Sequence, residues 1–179
     1  MANQNSQLKK RVVQLIGYIL IPAVLWLTYS AFDMEKINFT GVINSENGWM
    51  MKSGGLLLWA WFNVLLIPVT SSIRHQKHWI ILMDVLAVLT MVIPYHNQAE
   101  VFSNLHVLCA NGTLFVFNYV IITSCIHDLS QLRLYFIFTL PAFFLILTTM
   151  SINGICEVVY AWGISVYLTD AYVKKAHRQ

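Results

Sequence analysis

Tyr95–Gly112 reads YHNQAEVFSNLHVLCANG, and it sets histidine, asparagine and glutamate between two strongly apolar runs. Such a stretch is a catalytic loop, a metal site, or the wet turn between two membrane helices. The flanking runs decide which. Upstream, Trp79–Tyr95 is apolar apart from Asp84, and downstream Asn104–Ser124 is apolar for about the length that crosses a bilayer core. The expected reading is a turn between two membrane helices.

The rest of the chain repeats the pattern. Of 179 residues, 58% are hydrophobic and only 11% are charged, against about 25% charged in an ordinary soluble domain. Too little charge is present to cover a water-facing surface, so the expected class is an all-α polytopic membrane protein. A helix crossing the core needs about 20 apolar residues, and six segments qualify: 12–32, 54–73, 79–95, 104–124, 132–150 and 154–173. They are expected to form one six-helix transmembrane domain over 1–179. The alternation of a barrel strand is missing. Pro22, Pro68 and Pro141 fall inside segments one, two and five and predict kinks. The first segment is too long for a signal-peptide core and reads as a retained anchor.

Charge placement gives the direction. With six spans, Lys9, Lys10, Arg11, Arg74, Lys77, Arg133, Lys174, Lys175 and Arg178 share one side, and Lys36 and Lys52 the other. The positive-inside rule then puts both termini in the cytoplasm, with the plasma membrane as the expected location. The net charge of +3 therefore reads as topological anchoring, and no basic-aromatic pattern points to nucleic acid. RHQKH at 74–78 is an anchor able to meet anionic lipid headgroups. Trp49 and Trp79 read as interfacial anchors and Tyr172 as a cytoplasmic-side one. Cys109, Cys125 and Cys156 form no CxxC pair and read as small buried hydrophobes.

Ionisable groups at membrane depth are costly, so each is a functional candidate. At about 1.5 Å of rise per residue, they fall into two expected layers. The outer layer holds His106, Glu157, Asn153 and His96, with Glu100 at its edge. The inner layer holds Asp84, Asn118 and Ser71. A His106–Glu157 pair would stabilise an imidazolium able to bind a lipid phosphate or relay a proton. The simpler reading is an interhelical hydrogen bond between helices four and six. No HExxH, converging zinc ligands, GxSxG elbow or pair of helix histidines at matched depth occurs. No metal and no cofactor is therefore expected. NFT at Asn38 is a glycosylation acceptor only in a secretory pathway.

Three stretches carry a family resemblance: INFTGVINSENGWMMKSGGLLLW (37–59), FSNLHVLCANGTLFVF (102–117) and CEVVYAWGISVYLTDAY (156–172). In order and layout the chain resembles the Frag/DRAM/Sfk-like group of six-helix membrane proteins and related uncharacterised bacterial membrane proteins. The resemblance implies a role in lipid or glycolipid-anchor handling, membrane trafficking or autophagy, with His106 and Glu157 as the core polar pair.

Together these features predict an integral membrane protein, non-enzymatic, that engages a membrane lipid or another membrane protein through an outer-leaflet polar pocket. A membrane-embedded enzyme acting on a lipid headgroup and a small proton-linked transporter are the alternatives. The oligomeric state is left open.

Overall fold

The computed structural model describes residues 2–39, 42, 48–93, 100–150 and 152–178. His96 and Glu46, and the side chains of Trp49, Lys52 and Arg178, lie outside the described residues. Among the described residues the chain is helical and contains no strand. Helix α1 (Ala2–Leu15) passes through a π-helical turn (Ile16–Leu20) into α2 (Ile21–Ala31). Then follow α3 (Gly48–Val69), α4 (Gln76–Val92), α5 (Glu100–Cys125), α6 (Leu129–Thr149) and α7 (Gly154–Arg178).

Among the described residues, three stretches are long and apolar enough to cross a membrane: Gln7–Ala31, Glu100–Cys125 and Leu129–Thr149. They mark the chain as a membrane protein. Ser53–Val69 is apolar but shorter.

Several boundaries depart from the hydropathy reading. The polar N-terminus is already helical from Ala2, residues 100–103 belong to α5, and Gln76, Lys77 and His78 open α4. In each place the helix outruns the apolar run, because backbone hydrogen bonding continues into polar sequence while hydropathy reports only burial in lipid. Conversely, α3 stops at Val69, and Thr70–Ser72 turn the chain instead of continuing the helix to residue 73.

Pro22 explains the π turn. It has no N–H to offer the carbonyl four residues earlier, and its ring would clash there. The chain absorbs the conflict one residue upstream, where the Ile21 N–H reaches back to the Ile16 carbonyl.

The chain packs as two compact units, Met1–Val69 with Ser130–Gln179, and Thr70–Leu129. In the first, α7 is the hub: Cys156, Val158, Ala161, Ile164, Tyr167, Leu168 and Ala171 are all buried. Gly163 lets α7 lie directly on α6, since a Cβ there would overlap the Phe138 carbonyl oxygen. Gly17 does the same against Thr169, and its carbonyl accepts the Ser165 hydroxyl proton at 2.9 Å. Tyr135 and Tyr167 meet edge to face at 5.4 Å. At the other end of the unit the Lys175 ammonium donates to the Val69 carbonyl at 3.2 Å, capping α3. Lys10, counted among the basic residues that set the topology, is buried in this unit.

The second unit is the antiparallel hairpin of α4 and α5. Three pairs fix its register: Trp79 with Tyr119 at 4.9 Å between ring centroids, Leu86 with Gly112, and Ile93 with His106. The paired numbers sum to 198 or 199, so the two helices run past each other without slippage. Met83, Val120 and Ile121 are fully buried.

Candidate functional site

The outer polar layer divides between the two units: Asn153 and Glu157 belong to the first, and His106 to the second. Each is tied to backbone within its own unit.

At the start of α7 the ties are reciprocal. The first N–H groups of any helix lack intrahelical acceptors. Here the Gly154 N–H donates to the Ile37 carbonyl and the Ile155 N–H to the Met34 carbonyl, both at 3.2 Å. The Cys156 N–H donates to Asn153 Oδ1, also at 3.2 Å, so Asn153 is the N-cap. In return Glu157 Oε2 accepts the Phe39 N–H at 2.5 Å. The segment after α2 is thus strapped over the head of the last helix. Met34, only 1% exposed, is its apolar plug, and Gly154 leaves room for it, because a Cβ there would strike the Ile37 carbonyl and the Met34 side chain.

The strap is internally folded. The Lys36 and Ile37 N–H groups both donate to the Asp33 carbonyl at 3.0 Å, and the Lys36 ammonium pairs with the Asp33 carboxylate at 2.8 Å. That hydrogen bond holds the Asp33 carboxyl below the usual range and raises Lys36. Both groups face solvent, so the pair adds little to stability.

In the second unit His106 is 6% exposed. Its Nδ1 lies 2.9 Å from the Ile93 carbonyl oxygen. A carbonyl only accepts, so Nδ1 carries the proton. Ile93 is the extended residue ending α4, and the imidazole therefore pins the end of that helix to α5. This bond joins α5 to the end of α4; the bond expected of His106 was to Glu157, which belongs to the other unit.

The inner layer, Asp84, Asn118 and Ser71, falls entirely within the hairpin unit. Asp84 and Asn118 are half-buried, whereas Ser71 is exposed. The hairpin register sets Asp84 opposite Leu114, one turn from Asn118. Asn118 donates its amide to the Leu114 carbonyl at 2.7 Å, back toward the level of Asp84. All three cysteines are buried, and the Cys156 thiol donates to the Asn153 carbonyl at 2.9 Å.

Sequence reasoning missed the strap. Its donors are backbone groups of ordinary residues, and its only side-chain signals are Asn153 before the helix and Glu157 in its first turn. Together these make an N-terminal capping pattern that was legible in principle. No protein-family model, curated protein or solved structure matches this chain.

Proposed function

We propose that the chain is a six-span membrane protein with both termini cytoplasmic, residing in the plasma membrane. It engages a membrane lipid, or a membrane partner, by binding at the outer ends of its helices. The observation that carries binding over catalysis is the use made of the polar groups. Glu157 is committed to the Phe39 N–H and His106 Nδ1 to the Ile93 carbonyl. An acid–base catalyst needs groups poised to exchange protons with a substrate, whereas each of these holds backbone in place within its own unit, and His106 thereby stiffens the outer end of the hairpin as a binding rim requires. Beside His106, the outer part of α5 exposes Val101, Phe102, Leu105 and Leu108, an apolar flank suited to acyl chains. The resemblance to six-helix lipid-handling proteins agrees with this role.

Native mass spectrometry of gently extracted protein tests it, comparing wild type, His106→Gln and His106→Ala. Glutamine keeps a donor for Ile93. A lipid of one headgroup class retained by wild type and by His106→Gln, and lost from folded His106→Ala, supports the reading. A lipid set unchanged in both removes His106 from the binding rim. Accessibility labelling at residues 96–99 checks the topology, and a label that reacts only from the cytoplasmic side overturns it.

A second reading, a proton-linked transporter, draws on the hairpin. His106 and Asp84 lie in the same unit, and by the register they are separated by about 13 Å along it, at about 1.5 Å per residue.

A further inference from the structure

The hairpin carries a second feature at the end opposite His106. Here a shallow, open hollow of about 450 Å³ is lined by His75, His78, Trp79 and Leu82. Its walls are apolar and its rim is basic: Arg74, His75, Lys77 and His78 are all exposed. Among the described residues neither Arg74 nor Lys77 is in a salt bridge.

The backbone here is held in an uncommon shape. His75 has φ 60° and ψ 26°, the left-handed region that non-glycine residues seldom occupy. That turn starts α4 at Gln76 and brings the His75 and His78 rings edge to face at 5.7 Å. Gln76 stays out of the hollow, its amide donating to the Thr70 hydroxyl at 2.8 Å. Trp79 is fixed by its packing on Tyr119, and Leu82, one turn deeper, is 43% exposed. Strained backbone tends to persist where the surroundings need it.

We infer that this hollow is a binding site for an acidic phospholipid from the leaflet at this end of the hairpin. The phosphate sits among Arg74, Lys77, His75 and His78, and the upper part of one acyl chain lies along Trp79 and Leu82. Charge complementarity selects the occupant. Unpaired cations at a membrane surface attract anionic headgroups, and each adds about fivefold to affinity. A free anion would use the rim but leave the apolar wall wet. The site is independent of the outer rim that contains His106, and it stands or falls separately.

The test uses the full chain in a neutral detergent, titrated with phosphatidylglycerol or phosphatidylcholine of identical acyl chains and read by native mass spectrometry. Wild type is expected to hold one phosphatidylglycerol in preference to phosphatidylcholine. The exposed double change Arg74→Gln, Lys77→Gln should lower phosphatidylglycerol retention about twenty-five-fold, two cations at about fivefold each, and erase the preference. Arg74→Lys with Lys77→Arg should keep it. Leu82→Ser should weaken retention of both lipids alike. A preference that survives the double glutamine change overturns the site. So does full displacement of the lipid by soluble glycerophosphate, which would show that the rim reads the anion alone.

Discussion

Glu157 accepts the Phe39 N–H at 2.5 Å, joining two residues 118 positions apart in the chain. Together with the Gly154 and Ile155 donors to Ile37 and Met34, this bond makes the head of α7 and the segment after α2 cap one another. Glu157, expected in the outer polar layer, clasps the strap.

If the clasp holds the strap, Glu157→Ala leaves a partly buried N–H without its acceptor, at a cost of about 1–3 kcal/mol. Glu157→Gln keeps an acceptor and should lose less. Hydrogen exchange at Phe39 should accelerate more in the alanine variant than in the glutamine variant. Equal exchange in all three proteins would show that the bond is unimportant.

The glycines separate by their surroundings. Gly154→Ala and Gly163→Ala each drive a Cβ into a backbone carbonyl oxygen and should lower stability by about 1–3 kcal/mol. A Cβ at Gly54 meets nothing within 4 Å. Because alanine favours helix over glycine, Gly54→Ala should raise stability by about 0.5–1 kcal/mol. Thermal unfolding in one detergent would order the three variants, and a loss at Gly54 would contradict the open space around it.

His106→Ala removes the tie between α5 and the end of α4, a bond worth about 0.6–2 kcal/mol between membrane helices. His106→Gln should recover part of the loss, because its amide also donates. Detergent-unfolding midpoints for the two variants decide this. Identical losses would mean that the ring's packing, not its hydrogen bond, does the stabilising.

The Asp33–Lys36 pair gives a pH signature with a definite sign. The folded Asp33 carboxyl is depressed by its hydrogen bond to Lys36, so its contribution is present above about pH 4 and fades as pH falls through the lower folded value. Lys36 is raised, so its contribution is present below about pH 10 and fades as pH rises through the higher folded value. Between pH 5 and 9, by those reference values, the pair does not titrate. Proteolysis of the strap across that range should therefore follow the same profile in wild type and Asp33→Asn. A difference confined to that window would implicate another titrating group.

The transporter reading makes its own demand. If Asp84 relays protons, Asp84→Asn should abolish proton flux in proteoliposomes while the hairpin stays folded. Equal flux in wild type and variant would leave Asp84 as a structural group of α4.

The amino-acid sequence by itself determined the solvent. Scarce charge and long apolar runs such as 104–124 require a helical membrane protein, because backbone polar groups in lipid must be satisfied within a helix. It also marked Pro22 as a disturbance and the cysteines as buried. It could not rank the helices. Segment 154–173 reads as one span of six, yet its helix α7, interrupted by Glu157 and Asp170, falls outside the stretches long and apolar enough to cross a membrane and is nevertheless the hub of its unit. Hydropathy records what faces lipid, whereas a central helix faces other helices and tolerates hydroxyls bonded to neighbouring carbonyls. Nor could residue types show that Glu157 binds a backbone N–H from residue 39, or that His106 reaches Ile93. Hydrogen bonds to main chain depend on where the backbone passes, and only the tertiary structure decides that.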